Sequence, residues 1–106
     1  MCGGRTYHDT ITLEKTLDTL DITEMCSGGA DGADMLALAY AMDRGIKCTI
    51  YPANWKEHGK SAGPIRNNWM YTDFNPELVV AFPGGKGTQN MIEISKKGHT
   101  KVLQIP

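Results

Sequence analysis

The chain has 106 residues and a formal net charge of −1, with 41% hydrophobic and 22% charged residues. This balance excludes a disordered chain, and the longest apolar run, residues 78–82, is far shorter than the ~20 residues of a membrane-spanning helix. Nucleic acid is excluded as the main partner, because neutralising phosphates requires clustered positive charge and the chain has no basic tract.

Glycine and proline divide the chain into short predicted elements. In chain order these are a helix over 11–20, a strand over 23–26, a helix over 35–44, a strand over 47–51, a polar loop over 53–63, a helix over 64–74, a strand over 77–82, a helix ending near 98 and a strand over 101–105. Strands that alternate with helices through short connections predict parallel βαβ units in a three-layer α/β sandwich. Only MCGGRTYHDT precedes the first helix, so we expect the first strand to be truncated or missing.

The methionine- and leucine-rich helix has a stripe that is predicted to pack in the core. This stripe comprises Met35, Leu36, Leu38, Ala39 and Met42. Gly45 fits a C-terminal cap for the same helix.

The composition also favours one domain, over 1–106, in the cytoplasm. The N-terminus lacks a basic start followed by an apolar stretch, so no secretory signal is predicted. Three cysteines at wide spacing support neither a disulfide framework nor a zinc site, and the three histidines are scattered. We therefore expect no metal, no cofactor and no membrane partner.

Three glycine-rich turns follow predicted strands and precede helices. They are CGGR at 2–5, SGGADGAD at 27–34 and PGGKGT at 83–88. In a parallel sheet such turns share the edge at the carboxyl ends of the strands, where open α/β sheets bind ligands. Helix N-termini there offer free N–H groups to an anion, so a phosphate-bearing ligand is favoured over turns without a ligand.

The same segments, together with YPANWKEHGKSAGPIRNNWM and VVAFPGGKGT, resemble the YspA-type branch of the SLOG superfamily. These are Rossmann-like proteins related to the Lonely Guy phosphoribohydrolases, and the resemblance covers nearly the whole chain. It implies a Rossmann-like sheet and a nucleotide-type ligand. In the phosphoribohydrolases the motif PGG-x-GT-x-x-E ends in a glutamate that takes part in cleaving the N-glycosidic bond, and Met91 occupies that position here.

The three turns, together with the GPIRN segment of the resemblance, give a set of expected ligand-binding residues. They are Gly3, Gly4, Arg5, Gly28, Gly29, Asp31, Asp34, Arg66, Asn67, Pro83, Gly84, Gly85, Gly87 and Thr88. Arg66 matches the arginine of the family motif and would clamp a phosphate or a ribose with its planar donors. Arg5 and Asn67 either meet the same ligand or lie on the surface.

The sequence allows two interpretations of the role of several of these residues. One of Asp31 and Asp34 is expected to cap the second helix, and the other to accept ribose hydroxyls. Thr88 can cap a helix, donate its hydroxyl to phosphate, or both. Trp55, His58 and Lys60 form a candidate lid on the long loop, where Trp55 either stacks on a nucleobase or anchors the loop in the core.

Binding of an ADP-ribose- or nucleoside-monophosphate-like molecule is the leading functional hypothesis, because a sensor or sequestering protein needs no catalytic carboxylate. Related proteins link this hypothesis to nucleotide-signalling immunity or its evasion. One alternative is a phosphoribohydrolase-like N-glycosidase that uses another acid, such as Asp34 or Glu93. The other alternative is a non-catalytic interaction module with a vestigial pocket.

The missing first strand also bears on assembly. A gap between two strands would leave backbone N–H and C=O groups unpaired, at a cost of about 1–3 kcal/mol each. A short stub, a rearranged sheet or a segment of another chain would have to relieve it. Since the related Lonely Guy enzymes are dimers, we expect a homo-oligomer, at least a dimer.

Overall fold

The computed structural model describes residues 1–106 and contains five α-helices and four short strands. The elements are α1 (Thr10–Asp18), β1 (Glu24–Ser27), α2 (Ala33–Arg44), β2 (Lys47–Ile50), α3 (Trp55–His58), α4 (Ala62–Phe74), β3 (Leu78–Ala81), α5 (Lys86–Lys97) and β4 (Lys101–Gln104). The predicted alternation of helices and strands is therefore confirmed. Gly45 follows α2 in the left-handed conformation, with φ +68°, as a C-terminal cap requires.

The polar segment 53–63 is not the long loop that the sequence predicts. The side chain of Asn54 accepts a hydrogen bond of 3.1 Å from the N–H of Glu57 and caps the short helix α3. A 3₁₀ turn, Gly59–Ser61, then leads directly into α4. The prediction of a loop was wrong because it was based on the polar composition of the segment. Asn54 is an N-cap residue, and the four residues Trp55–His58 that follow it can form a helix.

The strands pair in parallel, as predicted, but only in twos. β1 pairs with β2 from Glu24 to Ser27, and β3 pairs with β4 from Leu78 to Ala81. Each pair is a separate two-stranded sheet. The protein is thus a mixed α/β structure with short parallel strands, and one continuous sheet is not formed.

The N-terminal residues lie between the two sheets in place of a first strand. Cys2 forms a single parallel bridge with Ala81, and its N–H donates to the carbonyl of Val80 at 2.9 Å. On the other side, the ammonium group of Met1 donates to the carbonyl of Cys26 at 3.3 Å. A groove of about 370 Å³ lies beside Met1 and is lined mostly by apolar residues of β1, of β3 and of the segment between α1 and β1, together with Leu17 and Phe74. Met1 and Cys2 therefore pair with only some of the backbone N–H and C=O groups at the facing edges of β1 and β3.

Two hydrophobic clusters lie on opposite faces of β3. Val80 and Phe82 pack with α1 and α2, whereas Val79 and Ala81 pack in a cluster that includes residues of α4 and α5. This alternation is the two-residue period of a strand that is covered on both faces.

Helix α2 buries only part of the stripe that its sequence suggests, since Leu36 packs against the core cluster of α1 and α2 but the two methionines do not. Met35 is 45% exposed and Met42 74% exposed, and the buried face consists instead of small residues and Tyr40. Because α2 is apolar on nearly all sides, hydrophobic periodicity could not select its inner face, and the alanines allow the closer approach to the strands. Neither α2 nor any other helix is both long and apolar enough to cross a membrane.

Candidate functional site

The three glycine-rich turns meet at one place in the structure. The N–H of Gly4 donates to the carbonyl of Pro83 at 2.9 Å, and the N–H of Ala33 donates to the carbonyl of Gly4 at 3.1 Å. The first turn is thus held between the second and the third. The convergence that the sequence suggests is a direct backbone contact.

Glycine serves two different purposes in these turns. Gly32 has φ +78°, and a Cβ there would overlap the backbone oxygen of Gly4. A Cβ on Gly4 would in turn lie 2.9 Å from the oxygen of Pro83. By contrast, a Cβ on Gly85 or on Gly87 would have no atom within 4 Å. The first glycines allow close packing of backbones, and the last two leave an open space.

That open space is a cavity of about 530 Å³, within the range of roughly 300–1,000 Å³ that is typical of small-molecule sites. The predicted site residues that line it are Gly3, Gly4, Arg5, Gly28, Asp34, Trp55, Lys60, Arg66, Asn67, Gly85, Gly87 and Thr88. Those outside its lining are Gly29, Asp31, Pro83, Gly84 and His58.

Helical periodicity would have found further lining residues. Asn90 lies one turn after Lys86 on α5, and both line the cavity. On α4, Gly63 and Met70 line it as well, one turn before and one turn after Asn67. Residues at these spacings share one face of a helix, so the two motifs predicted their neighbours.

The first turn of α5 faces the cavity with unpaired donors. Gly85 occupies the N-cap position without a side-chain cap, and the first helical hydrogen bond runs from the N–H of Gln89 to the oxygen of Gly85 at 3.0 Å. Thr88 is 8% exposed and lines the cavity, and its hydroxyl is accessible to solvent and makes no hydrogen bond within the chain. The prediction that Thr88 caps the helix is therefore wrong, and its hydroxyl is free for a ligand.

Arg66 is held over the second turn by backbone carbonyls. Its Nη1 donates to Gly28 at 2.9 Å and to Tyr51 at 3.2 Å, whereas Nη2 has no partner within the chain. Burial lowers the pKa of the guanidinium; the nearby carboxylate of Asp34 raises it, and the charge of Arg5 lowers it. An anion at Nη2 would offset both the burial and the repulsion from Arg5.

Asn67 connects Arg66 to α5 and is 4% exposed. Its Oδ1 accepts from Nε of Arg66 at 3.0 Å, and its Nδ2 donates to the carbonyl of Gly87 at 3.1 Å and to Oδ1 of Asn90 at 2.9 Å. Both donors of the amide are therefore used by the protein. Asn67 holds Arg66 and the α5 turn in a fixed relation, and its side chain has little left to offer a ligand.

Asp34 is a buried carboxylate in the cavity wall, 6% exposed. Its Oδ2 accepts a hydrogen bond of 3.2 Å from the N–H of Ala30, while Oδ1 has no partner within the chain. Burial raises the pKa of Asp34, and the hydrogen bond from Ala30 and the charge of Arg66 oppose that shift.

The predicted carboxylate cap of α2 is absent. The N-cap position belongs to Gly32, which has no side chain to accept from the first turn. Asp31 is exposed and lies outside the cavity lining. Of the two aspartates, only Asp34 is in place to meet a ligand.

Trp55 lies at the mouth of the cavity rather than in the core. It is 48% exposed, and the guanidinium carbon of Arg5 lies 5.0 Å from its ring centroid. The hypothesis that Trp55 anchors its segment in the core is therefore wrong. Lys60 also lines the cavity and is exposed, whereas His58 is exposed elsewhere on the segment.

The charge of the cavity differs in sign from that of the whole chain. Arg5, Lys60, Arg66 and Lys86 line it, and Asp34 is the only carboxylate among the lining residues. Such a concentration of one charge in a concave site attracts an anion. No group of three or more His, Cys, Asp and Glu side chains is placed to hold a metal ion.

Met91, at the position of the phosphoribohydrolase glutamate, is 2% exposed and belongs to the core cluster with α4. It does not line the cavity, and neither does Glu93, which is exposed. Met91→Glu alone would therefore place a carboxylate in the core and not in the cavity.

Comparison with known proteins supports the family resemblance over the first two glycine-rich turns. Residues 1–58 match the model of the YspA, cpYpsA-related SLOG family. The Gene 61 protein of Mycobacterium phage D29 is 33% identical over 85 residues, covering 74% of this chain and 67% of that protein. No solved structure matches the chain. The chain belongs to the YspA, cpYpsA-related SLOG family, and this membership indicates a nucleotide-related ligand-binding function.

Proposed function

We propose that the protein binds a nucleotide-derived small molecule, similar to ADP-ribose or a nucleoside monophosphate, and releases it unchanged. The observation that carries this proposal is the first turn of α5, where unpaired N–H groups and the unpartnered, solvent-accessible hydroxyl of Thr88 face a cavity ringed by cations. Helix N-termini with free N–H groups are established anion sites.

The phosphate is assigned to the space between α5 and Arg66. The α5 turn supplies N–H donors and the positive end of the helix dipole, Thr88 supplies a hydroxyl, and Nη2 of Arg66 supplies a charged donor. Lys86 adds a further positive charge at the same turn. Asn67 already fixes Arg66 relative to Gly87, so these two parts of the site are held in place before a ligand binds.

The sugar and the base are assigned to the other walls. The unpartnered Oδ1 of Asp34 can accept a ribose hydroxyl, and a carboxylate would repel phosphate from that wall. The exposed ring of Trp55 can stack on a base once Arg5 moves from its face to the phosphate.

We further propose that residues 1–106 form one Rossmann-like domain. Hydrogen bonds from Met1 and Cys2 connect the two sheets, and hydrophobic clusters cover opposite faces of β3. The cavity combines Gly28, inside the matched segment 1–58, with Arg66 and Thr88 beyond it. These observations support a three-layer arrangement in which the whole chain builds the site.

A binder of this kind would act as a sensor or as a sequestering protein. A ligand that suits such a role is a nucleotide signal of an immune pathway. The cavity offers no activated nucleophile. Cys2 lines it, but burial raises the pKa of the thiol, which keeps it protonated and unreactive.

A second candidate function is cleavage of an N-glycosidic bond with Asp34 as the acid. A buried carboxyl with a raised pKa in a cavity is a recognised feature of general acids. This candidate differs from the first in one observable, the release of free base. An interaction module with a vestigial pocket would neither bind nor cleave.

Matched ligands test the proposal. Calorimetric titration with adenosine 5′-monophosphate, ADP-ribose and adenosine, and with the monophosphates of other bases, should show binding of phosphorylated ligands and at least roughly tenfold weaker binding of the nucleoside. Chromatography of the same mixtures after incubation should show no free base above background. Steady base release that Asp34→Asn abolishes would replace the binder with the glycosidase. Absence of binding to every ligand would overturn both.

A further inference from the structure

The groove beside Met1 separates the facing edges of β1 and β3. Its lining takes in the start of each strand and ends beside the N-terminal residues, at Cys26 on one side and at Val80 on the other. Both strands therefore run in the same direction along the groove. Toward their starts, no hydrogen bond joins β1 to β3.

The edge of β3 presents unpaired backbone groups to this groove. The carbonyl of Val80 accepts the N–H of Cys2 at 2.9 Å, whereas the carbonyl of Ala81 accepts the N–H of Ile105, beside β4, at 2.8 Å. Backbone groups of successive residues in a strand point to opposite sides. The N–H of Val80 and the carbonyl of Leu78 thus face the groove, and neither has a partner within the chain.

The edge of β1 presents the same pattern from the other side. The carbonyl of Ser27 accepts the N–H of Tyr51, after β2, at 2.9 Å, and the carbonyl of Cys26 accepts from Met1 at 3.3 Å. By the same alternation, the N–H of Cys26 and the carbonyl of Glu24 face the groove without a partner. Two strand edges therefore offer donors and acceptors to one shared space.

The side chains around this space are apolar on both sides of the sheets. Leu20 and Ile22 pack against the cluster that contains Val80. Phe74 packs against the other cluster, which contains Val79, and it also lines the groove. A strand that is covered on both faces in this way consists of a continuous apolar run.

The end of the groove where β1 and β3 start is acidic. Asp21, Glu24 and Glu77 are exposed and line it, and no lysine, arginine or histidine is among the lining residues. A strand that lies parallel to β1 and β3 has its N-terminal end there. The charges therefore favour basic residues directly before its apolar run.

We infer that this groove binds an extended segment of a partner protein, in which basic residues are followed by about three apolar residues. The segment lies as a strand between β1 and β3, parallel to both. Its length follows from the open levels, residues 24–26 and 78–80, which span roughly 10 Å at ~3.3 Å per residue. In such strand addition the main-chain hydrogen bonds provide affinity and the side-chain pockets provide specificity.

A synthetic peptide, Lys-Lys-Val-Ile-Val with an acetylated N-terminus and an amidated C-terminus, tests the inference with the full chain. In a ¹⁵N nuclear magnetic resonance titration it should bind saturably, with one peptide per chain. At saturation, hydrogen exchange at the N–H groups of Val80 and Cys26 should slow by about tenfold or more, because both gain a partner. Exchange at Gly87, in the phosphate cavity, should not change.

Three matched peptides show whether the contact is a strand of the stated chemistry. Lys-Lys-Val-Pro-Val lacks the central N–H and should bind at least about tenfold more weakly. Glu-Glu-Val-Ile-Val reverses the charge, and Val-Ile-Val-Lys-Lys reverses the order of the residues. Both should also bind more weakly, and equal binding of any of the three would overturn the inference.

Charge exchange in the protein locates the contact. The double variant Glu24→Lys, Glu77→Lys should weaken binding of the lysine peptide by roughly tenfold and strengthen binding of the glutamate peptide. Glu93→Lys, at an exposed residue of α5 outside the groove, is the control and should change neither affinity. Circular dichroism checks that both variants are folded.

Equal effects of the double variant and of Glu93→Lys would overturn the inference, as would the absence of peptide binding. Slow exchange at Val80 and Cys26 without peptide would overturn it too, because the chain itself would then fill the groove.

Discussion

The first turns of α2 and α5 have the same kind of glycine-rich sequence and opposite surroundings. At α2 the N–H of Ala33 is already bonded to Gly4, and a buried carboxylate, Asp34, faces the cavity. At α5 the donors are free, the hydroxyl of Thr88 is unpartnered and Lys86 adds positive charge. The α2 turn is built to pack against the backbone and to accept a hydroxyl, and the α5 turn is built to hold an anion.

This contrast shows that a glycine-rich turn does not by itself indicate a phosphate site. What distinguishes the two turns is which N–H groups are already bonded and where the charges lie. Both properties depend on the neighbouring turn, Cys2–Arg5. On the α2 side its Gly4 carbonyl accepts the N–H of Ala33, whereas on the α5 side the N–H of Gly4 donates to the carbonyl of Pro83 and leaves the N–H groups of the α5 turn free.

The largest expected effect separates the two kinds of glycine. Gly32→Ala should lower the free energy of unfolding by about 3 kcal/mol, because it strains a positive φ and overlaps the oxygen of Gly4. Gly87→Ala, with no atom within 4 Å of its Cβ, should leave stability within about 0.5 kcal/mol. Urea unfolding of both variants measures this difference. Equal losses would show that the two turns are not packed differently.

Arg66→Ala should weaken binding of a nucleoside monophosphate by about 1.5–3 kcal/mol, the range for hydrogen bonds to charged groups. Stability should also fall, because the carbonyls of Gly28 and Tyr51 lose their donor. Titration calorimetry is therefore done at a temperature well below the melting temperature of the Arg66→Ala variant. The control is Lys56→Ala, which removes an exposed charge outside the cavity and should leave affinity unchanged. Unchanged affinity in folded Arg66→Ala would contradict the phosphate assignment.

Thr88→Val should weaken the same binding by about 0.5–1.5 kcal/mol and leave stability nearly unchanged, because the hydroxyl has no partner within the chain. Thr12→Val gives the reverse result, since its hydroxyl donates to Asp9 at 2.6 Å and lies outside the cavity. The pair is compared by calorimetry and by thermal melting. A loss of stability without a loss of affinity in Thr88→Val would remove Thr88 from the site.

The smallest effect concerns the pH dependence of stability at Asp34. Burial raises its pKa above the unfolded value, so the folded state binds more protons between the two values and the free energy of unfolding falls as pH rises through that window. Asp34→Asn removes this fall and should raise the melting temperature slightly at neutral pH, with the difference vanishing below the unfolded pKa. Melting curves of both proteins across acidic and neutral pH measure it. A lower melting temperature at neutral pH would mean that the ionised carboxylate stabilises the fold.

The sequence predicted the element order, the parallel pairing and the meeting of the turns, because glycine, proline and apolar strands act locally. It did not predict the outward methionines, since α2 is apolar on nearly every side and only tertiary packing decides which side is buried. The helical segment that includes α3 was likewise missed. Its cap from Asn54 outweighs a polar composition that suggested a loop.

Within the site, sequence reasoning placed Arg66, Thr88 and Asp34 in the cavity lining but could not separate their roles. The separation depends on hydrogen bonds between distant segments, such as the bond from Asn67 on α4 to Gly87 on α5. Such a bond has no local signature. Asn90, one helical turn after Lys86, did have one in the periodicity of α5.

The most direct measurement of the central claim is the shift of individual backbone N–H signals in a ¹⁵N nuclear magnetic resonance spectrum during titration with a nucleoside monophosphate. Binding of phosphate at α5 predicts the largest shifts at the N–H groups of Lys86, Gly87 and Thr88, with inorganic phosphate shifting the same signals more weakly. The N–H of Ala33, which is bonded to Gly4, should move little. The largest shifts at Ala33 and Asp34, with the α5 turn unaffected, would contradict the assignment of the anion site to α5.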